Sequence, residues 1–147
     1  MSCWDSSALA KLFLPEPDSA DFRARAIADM PLLAAHLARH ELATTFRRKE
    51  AEGLLKPGAA EVLRRRLDRF VAGGRIILKT ETPALTGRFD AVIESCFSAN
   101  PPVFVRTADA IHIATALAAG ETEFVTADVR QKKAAEVCGL TVQPSQQ

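Results

Sequence analysis

The stretch EFVTADVRQKKAAEVCGLTVQ, residues 123–143, decides the fold. A short apolar run, EFVTA, ends at Asp128. A helical stretch, DVRQKKAAEVCG, follows and is stopped by Gly139. A second short run, LTVQ, then begins. Strand, helix and strand in immediate succession are the unit of an α/β protein with a mostly parallel sheet.

The same alternation extends back through the chain. MSCW (1–4) reads as a short first strand, and Ser6–Leu14 as a helix ended by Pro15. DSADFRARAIADM reads as a short helix and LLAA as a buried strand. From Leu37 to Gly53 an amphipathic helix places Leu37, Glu41, Leu42 and Phe46 near one side. Pro57 is expected to open a helix lined by Val62, Leu63, Leu67, Phe70 and Val71, which Gly73 and Gly74 close. RIILKT is a strand and TPALTGRFDAVIESCFSAN a helix. Thr107 is expected to cap ADAIHIATALAAG, with Ile111, Ala114, Thr115 and Ala118 facing inward. Residues 1–143 are expected to form one domain and 144–147 a polar tail.

Composition narrows the classes. The chain has 147 residues, and a net charge of +1 argues against a broadly basic nucleic-acid surface, so any such contact must use a local patch. No apolar run approaches the ~20 residues of a membrane span, and the N-terminus lacks a signal-peptide pattern. Cys3, Cys96 and Cys138 form neither a CxxC pair nor a disulfide framework; Cys96 and Cys138 read as small core residues. Three unpaired thiols fit a reducing, cytoplasmic setting.

In parallel sheets the chemistry gathers at the carboxyl ends of the strands. Asp5 and Asp128 each directly follow a strand there. Asp109 lies in the first turn of its helix, and Glu41 one turn beyond LLAA. Wound as the pattern suggests, the sheet brings four carboxylates to one rim. Singly, Asp5 and Asp128 are also plausible helix caps, Asp109 a partner for a helix dipole and Glu41 a solvated residue. Together they repel unless something positive joins them. Oxygen-only ligands suit a hard ion, Mg²⁺ or Mn²⁺, and phosphodiester hydrolysis is the chemistry such an ion serves. Asp5, Asp109 and Asp128 are the expected metal ligands. Ser7 and Thr126 are placed to bond a carboxylate or a water at the ion. His112, one turn from Asp109, reads first as a buried structural histidine and second as a neighbour of the site.

The phrases DSSALAKLFLPEP, RHELATTFRR, RTADAIHIATALAAG and EFVTADVRQKKAAEVCGL resemble, in that order and spacing, the PIN-domain family, and most closely its VapC-type ribonuclease toxins of type II toxin–antitoxin pairs. The resemblance runs from Asp5 to about Val142. It implies a three-layer α/β/α sandwich around a central, mostly parallel sheet and a Mg²⁺- or Mn²⁺-dependent endoribonuclease. It maps the family's catalytic acids onto Asp5, Glu41, Asp109 and Asp128, and its hydroxyl residues onto Ser7 and Thr126. It implies a homodimer, and a small antitoxin partner whose basic side chain can enter the acidic pocket. The chain departs from the family in its short first strand and in Ser6, where threonine is common. Residues 53–100 match in pattern alone.

RNA needs a cationic path. Arg47, Arg48 and Arg130 neighbour the acids in sequence and are the phosphate-binding candidates, since guanidinium bonds phosphate bidentately. Arg64, Arg65 and Arg66 read as a solvated helix face. With Trp4 the one tryptophan and no tyrosine, base stacking contributes little. Other phosphate chemistries fit worse. DSSAL stands where a dinucleotide fold has its glycines, Ser7 stands where an aspartyl phosphatase has its second acid, and no P-loop occurs. Two further readings remain open: an interaction module whose acidic pocket binds a basic peptide, and a DNA nuclease of the same chemistry.

Overall fold

Along Leu32, Leu33 and Ala34 successive side chains point to opposite faces of a sheet, and both faces are covered. Leu32 and Ala34 join one core and Leu33 the other. That is why LLAA is apolar throughout rather than alternating. The computed structural model describes residues 1–145. Its strands are β1 (Cys3–Trp4), β2 (Leu32–Ala35), β3 (Ile76–Lys79), β4 (Glu123–Val125) and β5 (Thr141–Gln143). Its helices are α1 (Ser6–Phe13), α2 (Ser19–Asp29), α3 (Leu37–Ala51), α4 (Ala59–Ala72), α5 (Pro83–Phe97), α6 (Thr107–Ala118) and α7 (Val129–Val137). The strands form one sheet in the order β3-β2-β1-β4-β5, and every pairing is parallel. Helices cover both faces, as expected of an α/β/α sandwich. Helices α1 to α4 enclose a core with Trp4, Leu32, Ile76 and Val125, while α5, α6 and α7 enclose one with Cys3, Leu33, Phe124 and Val142.

The first strand is short but continuous with its neighbours. Asp5 N–H donates to the Val125 carbonyl (3.1 Å) and Leu33 N–H to the Ser2 carbonyl (3.2 Å), so pairing extends beyond Cys3 and Trp4 on both sides. Trp4 fixes this segment from within. It is fully buried, meets the edge of Phe22 at 6.2 Å, and its Nε1 donates to Ser2 Oγ at 2.9 Å.

Local details differ from the sequence expectations at four places. Helix α4 starts at Ala59, because Gly58 before it takes a left-handed φ of 86° that no helical residue adopts. Val62 on that helix faces solvent, while Leu67 is buried. The residue capping α6 is Arg106 in extended backbone, and Thr107 is the first helical residue. Ala118 is exposed; the buried face of α6 is instead broad, running through Ala110 and His112 to Ala116, because α6 packs on the sheet and between α5, α3 and α7. Cys3 and Cys96 are buried, and Cys138 is partly buried, its thiol pushed up to about 12 first by burial and then by Cys96. No helix among the described residues is long and apolar enough to cross a membrane. Of the expected polar tail, 144–147, residues 146–147 lie outside the described residues.

Candidate active site

Asp5 leaves the end of β1 with no solvent exposure. Its carboxylate is held by neutral donors alone. Oδ1 accepts from Ser7 Oγ (2.7 Å) and from the Ala8 amide (2.8 Å), which makes Asp5 the cap of α1. Oδ2 accepts from Thr126 Oγ1 (2.6 Å), at the end of β4. Burial pushes the Asp5 carboxyl above its ordinary value, while the Thr126, Ala8 and Ser7 hydrogen bonds and the nearby His112 pull the other way.

Ser7 and Thr126 tie two strand ends into one unit. Ser7 Oγ accepts from the Ala127 amide (2.9 Å) and lies 3.2 Å from Thr126 Oγ1. Thr126 Oγ1 in turn accepts from the Asp128 amide (3.0 Å). The acid after β1 and the acid after β4 are therefore linked through one hydroxyl.

Asp128 caps α7 with Oδ1, which accepts from the Arg130 amide (2.8 Å) and from Gln131 N–H (3.5 Å). The capping reading of Asp5 and Asp128 holds, since each acid starts a helix, and Thr126 Oγ1 stands between the two. The other oxygen of Asp128 meets Arg106, whose Nη2 lies 3.4 Å from Oδ2. Arg106 also donates through Nε to Asp109 Oδ2 (2.8 Å). Its side chain is 60% exposed and spans the two acids at the mouth of the site. Arg106 carries no such role in the sequence reading; its signal is the three-residue spacing to Asp109, which places the pair together on one side of a helix start.

Glu41, in the first turns of α3, is held from across the cleft. Its Oε1 lies 2.5 Å from Nε2 of His112 on α6. Burial works to raise the Glu41 pKa, but the His112 hydrogen bond and charge outweigh it and hold the carboxyl below its ordinary value. His112 is 1% exposed and its Nδ1 has no partner among the described residues. It is buried and hydrogen-bonded, as a structural histidine is, and its partner is one of the candidate acids. The sequence places it one turn from Asp109 but gives no sign of its pairing with Glu41, which is 71 residues away.

A cleft of about 610 Å³ opens beside Asp128 between α1, α3 and α7, and both Arg48 and Arg130 line it. Arg47 does not; it pairs with Glu50 at 2.8 Å on the exposed side of α3. Arg64 and Arg65 are taken up by Glu61 and Asp68, and Arg66 lies over the rings of Phe13 and Phe70.

The donors at this rim, carboxylates and hydroxyls, fit a hard divalent cation in kind. As the side chains stand, no three His, Cys, Asp or Glu among the described residues are grouped to hold an ion. A guanidinium bridges Asp109 and Asp128, and an imidazole engages Glu41.

Residues 3–137 match the model of the PIN domain. Ribonuclease VapC35 of Mycobacterium tuberculosis is 37% identical over 145 residues, covering 94% of this chain and 92% of that protein. The crystal structure of FitAcB from Neisseria gonorrhoeae aligns with a TM-score of 0.62 over 97% of this chain and 96% of its own, at 18% identity, a likeness of fold. With a parallel sheet in this order and a family model spanning nearly its whole length, the chain belongs to the PIN-domain family.

Proposed function

We propose that this chain is a Mg²⁺- or Mn²⁺-dependent endoribonuclease, the toxin of a bacterial toxin–antitoxin pair. It acts in the cytoplasm as a homodimer and is neutralised by a small antitoxin. Residues 1–143 are its single catalytic unit. The observation that supports the reading is the chain of contacts from Asp5 through Thr126 to Asp128 and through Arg106 to Asp109, with Glu41 held by His112, in a chain akin to a ribonuclease.

Asp5, Asp109 and Asp128 are the residues that would hold the ion, and Glu41 completes the acidic cluster. A bound divalent ion lowers the pKa of a nearby water and offsets the charge that gathers on a phosphodiester under attack. Asp5 is fixed before any ligand arrives, because Ser7, Thr126 and the Ala8 amide hold its two oxygens in place. His112 sets the direction of the Glu41 carboxylate and keeps it ionised. Arg48 and Arg130 hold backbone phosphates along the cleft beside Asp128. Trp4 is buried, so it offers no face to a base, and RNA is gripped by its backbone more than by its bases.

The experiment is cleavage of a labelled single-stranded RNA by purified protein, in Mn²⁺ and in EDTA, with a labelled DNA strand alongside. Wild type is expected to cut RNA only with the ion, and Asp109→Asn to lose that cut while keeping its circular dichroism. Equal cutting by Asp109→Asn rejects the assignment. Cutting of DNA alone reassigns the substrate. Ion-independent inertness in every arm favours the reading in which the pocket only docks a basic peptide.

A further inference from the structure

Resting on that nuclease reading, we propose that Arg106 and the divalent ion compete for one place. The guanidinium fills the gap between Asp109 and Asp128 until an ion enters, and then leaves for solvent.

The oxygens decide it. Oδ1 of Asp128 is spent on the Arg130 and Gln131 amides, so Oδ2 is the oxygen it can offer a ligand. That same oxygen faces Arg106 Nη2 at 3.4 Å. Oδ2 of Asp109 receives Arg106 Nε at 2.8 Å. An ion bound by both of these oxygens would lie within a few ångströms of a full positive charge, and like charges at that range repel strongly. The two cations therefore exclude one another.

Arg106 is also built to move. It sits just outside α6 in extended backbone (φ −83°, ψ 156°), so no helical hydrogen bond depends on where its side chain points. The side chain is 60% exposed and its partners lie at the rim, which makes the pair weak and sensitive to salt. The inner acid, Asp5, has no such competitor. Asp5 is held by hydroxyls and an amide, which keep their places beside an ion. Arg106 thus supplies the counter-charge that lets Asp109 and Asp128 lie close together in the ion-free protein.

The test is calorimetric titration of Mn²⁺ into metal-free wild type, Arg106→Gln and an Asp109→Asn control, at low salt, with melting curves in EDTA. Gln is shorter than Arg but polar, and the side chain it replaces is exposed, so folding is preserved. Arg106→Gln is expected to bind Mn²⁺ about three- to tenfold more tightly than wild type. It is expected to melt a few degrees lower in EDTA and to regain that loss when Mn²⁺ is added. High salt should narrow the affinity gap. Unchanged Mn²⁺ affinity in Arg106→Gln overturns the competition. Weaker affinity also overturns it and makes Arg106 an aid to binding. If neither wild type nor Arg106→Gln binds Mn²⁺ better than Asp109→Asn, the metal-site reading itself fails and takes this inference with it.

Discussion

Asp5 and Asp128 follow adjacent strands of one sheet, yet they are held in opposite ways. Asp5 is fully buried and meets only neutral donors, Ser7, Thr126 and a backbone amide. Asp128 stands at the rim and shares an exposed arginine with Asp109. The inner acid is hydrogen-bonded to no cation, and its burial is costly and pushes its pKa up. The outer acids are compensated by a group that can leave. A site made this way separates two tasks: the buried half sets geometry, and the rim half controls what charge is present.

The comparison breaks first at Asp5. Asp5→Asn keeps the shape of the side chain and removes its charge, and RNA cleavage is expected to fall by about a hundred- to a thousandfold, measured as initial rate in Mn²⁺. A loss no larger than tenfold would mean that the inner acid is only a helix cap. The next largest effect concerns the packing behind Glu41. His112→Ala leaves a cavity in α6 and an unheld carboxylate, and is expected to cost about 2–4 kcal/mol of stability in guanidinium melts. A cost under 1 kcal/mol would place His112 in a site loose enough to collapse.

Smaller effects sharpen the outer half. Replacing Arg48 and Arg130 together by Ala is expected to weaken binding of RNA to an inactive Asp5→Asn background by about tenfold, and to reduce the salt slope by about 2. Replacing Arg64 and Arg65 should leave both unchanged, because Glu61 and Asp68 already hold those side chains. Fluorescence anisotropy at several salt concentrations reads both.

The smallest effect is a matter of pH. The ordinary value for Asp5 is 3.8, and the folded value lies above it. Below 3.8 the group is protonated in folded and unfolded chains alike. As pH rises toward the folded value the unfolded chain ionises first, so folding loses stability, and the loss is complete above that value. Asn cannot ionise. In EDTA, Asp5→Asn should therefore melt with wild type near pH 3.5 and a few degrees above it at pH 7. A gap that closes with rising pH would reverse the sign of the argument.

The sequence carried the scaffold well, for a physical reason. Strands such as LLAA are buried on both faces and announce themselves by continuous apolar content. Helices α3, α4 and α5 show their period and their stops. Asp5 and Asp128 are legible as helix starts because element boundaries are marked by local chemistry. What stayed hidden was pairing across the chain. Glu41 meets His112 and Asp5 meets Thr126 only once β1, β2 and β4 lie side by side with α6 over them. The spacing of Arg106 to Asp109 is legible, but its reach to Asp128, 22 residues away, is not, because that contact is a property of the rim. Thr107 misled because hydroxyls are common caps, whereas α6 starts from an extended arginine with no side-chain cap.

Asp128 follows β4, and β4 pairs with β1, which ends at Trp4 beside Asp5. A ribosome must therefore release the chain through β4 before the edge that carries both acids can close. Any nascent fragment that stops short of Thr126 leaves Oδ2 of Asp5 without its hydroxyl partner, so the two acids are brought together late.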